Sequence, residues 1–220
     1  MRKNWIATAI FSACFVFNIA SLFAESTASK NAPQTDATKS LDDIIKKRDA
    51  YGLLCTTYKV VLIENSSTDR ENNASAFLPE YIKALKHKSK PELLESLRVS
   101  GGDALDCAIQ KYMALGVDVI LVVGGTGISP SDDSPELISC YLEKELTQYP
   151  MLFAAESLRQ VSLNEQHTLA LGGRPIGGVY EHKGQRGLIF AIPGSYHASV
   201  IASAILFPEI PYLLRQLTKK

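Results

Sequence analysis

Residues 118–136 read DVILVVGGTGISPSDDSPE. The run from Val119 to Val123 is unbroken, apolar and β-branched, and too short for a helix, which is the pattern of a strand buried on both faces. It stops at two glycines. Gly124, Gly125 and Gly127 free the backbone to take positive φ and to bring its N–H groups close to a ligand, and Thr126 adds a hydroxyl among them. Ser134, Pro135 and Glu136 then read as a helix start, with Leu137, Ile138 and Tyr141 following at helical spacing. A strand, a glycine loop and a helix start in that order make a phosphate-site geometry. The loop lacks the Lys of a P-loop and is not the GxGxxG dinucleotide fingerprint.

Asp132 and Asp133 lie between the glycines and the helix, where their charge would repel a bare phosphate. A divalent cation resolves the conflict, since carboxylates at polyphosphate sites hold Mg²⁺ that bridges to phosphate oxygens. The plainer alternative is that one of the two acids caps the helix and the glycines only make a tight turn.

The segment GGTGISPSDDSPE resembles the signature of the MoaB/Mog family of molybdopterin-binding proteins. Further matches in the family's order are Glu156, Arg159 and Ser162 in FAAESLRQVS, Arg174 and Gly178 in GGRPIGGV, and LIFAIPGS at residues 188–195. The resemblance covers the chain from about Tyr58 onward. It implies the molybdopterin-binding fold, a homotrimer or larger cyclic assembly, and transfer of an adenylyl group from ATP to molybdopterin. Molybdopterin and ATP are then the substrates and Mg²⁺ the cofactor. On this reading Gly124, Gly125, Thr126 and Gly127 cradle phosphate together with Ser134 and Glu136, Asp132 holds Mg²⁺ with help from Asp103, and Pro193, Gly194 and Ser195 contact pterin or phosphate.

Upstream, YKVVLI at residues 58–63 reads as the first strand, bounded by a Glu-Asn-Ser-Ser turn cluster. Relatives carry a Ser-Asp pair and a later Asp in the loop that follows; this chain has Ser67, Thr68, Asp69, Arg70, Asn72 and Asn73. Helical spacing of Phe77, Tyr81, Ile82 and Leu85 predicts a helix over 76–87. Residues 94–99 are a candidate strand, and Gly101, Gly102 and Asp103 turn into a helix over 104–115. Asp103 is either the functional Asp that relatives place in this turn or an N-cap.

Downstream, a helix is expected over 134–146, broken by Tyr149-Pro150-Met151, and a second over 152–162. There Glu156 and Arg159 are either a solvated ion pair or, by the resemblance, part of the site. Arg174, in a Gly-rich turn, could reach a phosphate bidentately. Residues 187–192 read as the last core strand, and Ser195 opens a helix through Val200 and Ile201 to Ile205. This second strand-to-helix turn offers the other wall of a pocket.

The alternation of strands and helices predicts an α/β fold, a three-layer sandwich with a mostly parallel sheet and its ligand crevice at the carboxyl ends of the strands. At 220 residues the chain accommodates one such domain, 51–220, with appendages. Residues 1–28 pair a short basic start with an apolar run at 5–23 and small residues at Ala24, Ser26 and Ala28, as a signal peptide or N-terminal anchor does. A polar spacer and short helix fill 29–50. The expectation is therefore export to the periplasm or beyond, with membrane attachment or the family's cytoplasmic location as alternatives. Lys+Arg 23 against Asp+Glu 23 gives zero formal charge, so no global field favours nucleic acid. Cys55, Cys107 and Cys140 match no metal or redox spacing, and Cys107 and Cys140, placed in helices, are expected buried and reduced. Of the histidines only His197 adjoins a site turn.

Overall fold

The computed structural model describes residues 57–66, 73–85, 90–160 and 169–219. The leader-like stretch, the spacer, Cys55, the loop at 67–72, Ser162 and His167 lie outside them.

Six strands form one sheet. They are β1 (Thr57–Asn65), β2 (Lys90–Val99), β3 (Val119–Val123), β4 (Leu142–Glu145), β5 (Ile176–His182) and β6 (Gln185–Ile192), in the spatial order β2-β1-β3-β6-β5-β4. β1, β2, β3 and β6 pair in parallel, and β5 runs antiparallel to both its neighbours. Five strands therefore share one direction. The helices are α1 (Asn73–Ala84), α2 (Gly102–Ala114), α3 (Ser134–Ser139), α4 (Gln148–Gln160) and α5 (Tyr196–Leu217).

Alternation along the central strands builds three layers. Val60, Leu62, Leu121, Val123, Phe190 and Ile192 face Leu78 and Ile82 of α1, Tyr149 and Phe153 of α4, and Ile201, Leu206 and Ile210 of α5. Val61, Ile63, Ile120, Val122, Ile189 and Ala191 face Leu105, Ile109 and Met113 of α2 and Ile138 of α3. All five residues of β3 are buried, each contributing on the order of 1.5–3 kcal/mol. α5 is long and apolar enough to cross a membrane. Its Ala198, Ile201, Ala202, Leu206, Phe207 and Ile210 are buried in the core, as in a core helix.

Several expected boundaries are corrected. The helix expected over 134–146 ends at Ser139, and residues 142–145 pair with β5 as a strand. β5 follows directly on the expected glycine-rich turn at 172–175, over residues to which the sequence pattern assigns no element. Gly178 fits there because a Cβ on it would stand 2.0 Å from the Lys144 carbonyl oxygen on β4. Pro150 does not break a helix but sits in the first turn of α4, where no N–H is needed. β2 begins at Lys90 and includes Pro91, which an edge strand tolerates. The last helix continues past Ile205 to Leu217 through Pro208 and Pro211. Cys107 and Cys140 are exposed rather than buried, both as free thiols.

The chain passes from β1 to β2 on one side and returns through α2 to β3 on the other. The carboxyl ends of β1 and β3 thus flank the topological switch point, where parallel sheets open a crevice.

Candidate functional site

That crevice is a cleft of about 380 Å³, within the roughly 300–1,000 Å³ usual for small-molecule sites. Asn65, the last residue of β1, and Ser66 after it reach into it, Gly124, Gly125, Thr126 and Gly127 follow β3, and Pro193, Gly194 and Ser195 follow β6; Ser131, Asp132, Gly172 and Gly173 complete the lining. Three neighbouring strand ends supply one wall each.

The glycine loop is held open by its own bonding. Gly124 N–H donates to the Ile192 carbonyl at 2.9 Å, tying β3's end to β6's. Gly124 and Gly125 take φ of 98° and 62°, a region that excludes most side chains. Among the described residues the N–H groups of Gly125, Thr126 and Gly127 have no acceptor. On the facing wall Ser195 caps α5, its Oγ accepting from Ala198 N–H at 3.2 Å. The N–H groups of Gly194 and Ser195, which line the cleft in the same turn, have no acceptor either. Unpaired amides on both walls, one set at the positive end of a 22-residue helix, suit the cleft to an anionic group. The helix contribution comes from α5, since α3 has only six residues.

The two acids divide their work. Asp133 is a fastener, with Oδ1 accepting from Asn65 Nδ2 at 2.9 Å and Oδ2 from Gly102 N–H at 2.6 Å. It stands at the N-cap of α3 but makes no side-chain cap bond. Asp132 lines the cleft; its Oδ2 accepts from Ser129 N–H at 2.9 Å and its Oδ1 makes no hydrogen bond. Among the described residues no three His, Cys, Asp or Glu cluster as a preformed metal site. One carboxylate oxygen beside free amides nonetheless fits Mg²⁺, which is held by one or two carboxylates plus substrate phosphates and water.

Other expected site residues fall elsewhere. Asp103 is exposed in the first turn of α2 and lines neither this cleft nor the hollow beside it, and the N-cap there is Gly101. The glycines ahead of it hold the turn and leave Asp103 on the outer face of the helix. Arg174 borders the neighbouring hollow together with Asp132, Asp133 and Glu136. Its guanidinium donates from Nε to Gly127 O and from Nη2 to Asp132 O, both at 2.8 Å, and from Nη1 to Glu136. Three of its five N–H groups are thus spent on the loop and on Glu136, so it acts first as a brace. Glu136 faces that guanidinium, whose hydrogen bond holds its carboxyl below the usual range. Ser134 is fully buried, with Oγ donating to Gly124 O at 2.8 Å. Glu156 and Arg159 form a bidentate pair at 2.7 and 2.6 Å and line neither hollow. His197 is exposed and outside the lining.

Asn65 was not singled out by sequence reasoning. Its signal was positional: it ends a central parallel strand on the carboxyl side, where ligands gather.

Fold and cleft together define an α/β protein with a cleft of small-molecule size at a topological switch point, lined by backbone amides free to meet an anionic group. The chain belongs to the MoaB/Mog family of molybdenum cofactor biosynthesis proteins: the family model described as "Probable molybdopterin binding domain" matches residues 58–212. It is 29% identical over 162 residues to molybdenum cofactor biosynthesis protein B of Staphylococcus carnosus, covering 73% of this chain and 89% of that one. Against the protein of the same name from Bacillus cereus it is 29% identical over 165 residues, with coverages of 74% and 90%. The fold matches the Mog protein of molybdopterin biosynthesis from Mycobacterium ulcerans with TM-score 0.63 and 24% identity, over 75% of this chain and 99% of that one. It also matches the tungsten cofactor synthesizing protein MoaB from Pyrococcus furiosus, with TM-score 0.62 and 24% identity, over 74% and 98%.

Proposed function

We propose that the cleft binds molybdopterin through its terminal phosphate and that the protein adenylylates this phosphate with Mg-ATP. The observation that carries the reading is the shared cleft: Gly125, Thr126 and Gly127 on one side, Gly194 and Ser195, the N-cap of α5, on the other, and Asp132 beside them. In the reaction a phosphate oxygen of the pterin attacks the α-phosphorus of ATP, a P–O bond forms, and pyrophosphate leaves with the electrons of the broken bond. Both reactants are polyanions, so the protein's task is to position them and offset their charge. The amides of the glycine loop and of the turn into α5 orient the phosphates. The Asp132 carboxylate, fixed by Ser129 N–H, would hold Mg²⁺, which when bound neutralises charge on the phosphate oxygens.

Purified protein mixed with molybdopterin, ATP and Mg²⁺ should release pyrophosphate and yield an adenylylated pterin; binding of both substrates without pyrophosphate would remove the catalytic claim. The signal-like residues 1–28 favour a second reading, a non-catalytic pterin-binding protein of the same fold working outside the cytoplasm, away from ATP. Pterin binding indifferent to ATP, in protein recovered from an exported fraction, selects it. Assembly as a homotrimer or larger ring is part of the proposal, supported by exposed Met151, Leu152 and Leu158 on α4. A monomeric mass in sedimentation would remove it.

A further inference from the structure

We propose that Asn65 is a positioning residue for the phosphate cradle, acting on the glycine loop through the buried hydroxyl of Ser134. This rests on the reading of the cleft as an anion site.

The side chain of Asn65, 7% exposed, ends β1. Its amide nitrogen donates to Asp133 Oδ1 at 2.9 Å and to Ser134 Oγ at 2.8 Å. A carboxylate can only accept, so the end of the amide facing Asp133 is the nitrogen, and both of its protons are committed. Ser134 Oγ receives one of them and has a single proton of its own. That proton goes to the Gly124 carbonyl, 2.8 Å away. The order is therefore fixed: Asn65 donates, Ser134 accepts and passes on, and Gly124 receives. The carbonyl at the end of this relay belongs to the peptide plane that joins Gly124 to Gly125. Orienting the carbonyl orients the Gly125 N–H, the first of the cradle's free amides. Space is as tightly assigned as protons: a Cβ on Gly125 would lie 2.3 Å from Asn65 Nδ2 and 2.6 Å from Ser134 Oγ.

Asn65 thus has two separable actions. Its bond to Asp133 joins β1 to the turn that also receives Gly102 N–H, which is a matter of stability. Its bond to Ser134 leaves the serine proton free for Gly124, which is a matter of cradle geometry. Exchanging the two side chains distinguishes them. In Asn65→Asp/Asp133→Asn, the asparagine at 133 donates to the aspartate at 65 and its oxygen still accepts from Gly102 N–H, so the bridge is rebuilt. The aspartate, however, has no proton for Ser134, whose hydroxyl turns to the new carboxylate and releases Gly124.

The test measures thermal unfolding, binding of inorganic tripolyphosphate by calorimetry, and the amide resonances of ¹⁵N-labelled protein, for wild type, Asn65→Asp and the exchange variant. Asn65→Asp should lose both stability and affinity. The exchange should recover most of the melting temperature while binding tripolyphosphate at least about tenfold more weakly than wild type, the factor of one ordinary hydrogen bond, with the Gly125 amide shifted. An exchange variant with wild-type affinity and an unmoved Gly125 resonance overturns the relay while leaving the anion site standing. Wild-type protein that binds no tripolyphosphate overturns the anion-site reading and the positioning role built on it.

Discussion

Arg174 grips the turn that follows the glycine loop: its Nε donates to the Gly127 carbonyl at 2.8 Å. Nη2 reaches the Asp132 carbonyl at 2.8 Å, and the Arg174 N–H itself donates to Thr126 O at 2.9 Å. The residue thereby spans the loop that carries Asp132 and sets where that carboxylate stands.

Removal of the guanidinium should therefore loosen Asp132 before it weakens phosphate binding. Arg174→Ala is expected to cost about 1–2 kcal/mol, the range of two backbone bonds on a partly exposed side chain. Its effect on Mg²⁺ affinity should exceed its effect on tripolyphosphate affinity without metal. Arg174→Lys should not restore either quantity, because an ammonium cannot span the three acceptors of the planar fork. Urea unfolding and calorimetric titration check both statements.

Gly125→Ala should disable the cleft. The backbone there has φ of 62° and the added methyl carbon would stand 2.3 Å from Asn65 Nδ2. Strain of about 1–3 kcal/mol and displacement of Asn65 should appear as a lowered melting temperature and a loss of tripolyphosphate binding. Gly184→Ala, at φ 82° in the open β5–β6 turn with nothing near its Cβ, controls for backbone strain alone and should keep its binding.

Asp132→Asn should leave the melting temperature within a degree or two of wild type, since the amide oxygen can still accept from Ser129 N–H, and should abolish Mg²⁺-dependent pyrophosphate release. Unchanged turnover would remove Asp132 from the metal site.

Buried tyrosines predict an alkaline limit to stability. Burial pushes the hydroxyls of Tyr58, Tyr149 and Tyr180 well above their ordinary value of 10.0. Because these groups bind protons more tightly folded than unfolded, stability is intact below about pH 10 and declines above it, by about 1.4 kcal/mol per pH unit for each tyrosine. Tyr149→Phe removes one titrating group and should lessen that slope by the share of one tyrosine, at the cost of the bond from Tyr149 OH to Ala191 O. Chemical denaturation at a series of pH values between 8 and 11 measures it.

At the other end of the scale, the Arg174 hydrogen bond holds the Glu136 carboxyl below its ordinary 4.5. A depressed folded value means that the stabilisation is present above that ordinary value and is lost as acid brings the pH down through the folded one. Glu136 is exposed, so its influence on global stability should be small. The Glu136 carboxyl resonance, followed by NMR from pH 6 to 3, should titrate lower in wild type than in Arg174→Ala.

The parts of the fold legible in the sequence were those where one local pattern had a single outcome. Val119 to Val123 is apolar throughout and ends in glycine, and β3 occupies those residues. β5 is not legible because Gly177 and Gly178 interrupt the pattern of a strand, whereas they are glycines for packing: a Cβ on Gly177 would meet Phe190 Cδ1 at 2.1 Å. Without β5 there was no partner for residues 142–145, and the helical spacing of Tyr141, Leu142 and Leu146 then pointed to a longer helix; strand pairing overrode it. At the site, the glycines and Ser195 were readable as types that expose backbone amides. The division of roles between Asp132 and Asp133, and the place of Asn65, were not, because they depend on which acceptor lies within 3 Å across sequence separations of 68 and 69 residues. Asp103 shows the converse, an acid in the expected turn that the helix carries to the outer face.

The most direct test is a crystal structure of the protein grown with tripolyphosphate and Mg²⁺. The account predicts phosphate oxygens within hydrogen-bond distance of the amides of Gly125 to Gly127 and, at the same time, of Gly194 and Ser195 at the start of α5, with the cation on Asp132. A ligand bound against only one of these walls, or lodged elsewhere with the cleft filled by water, would contradict it.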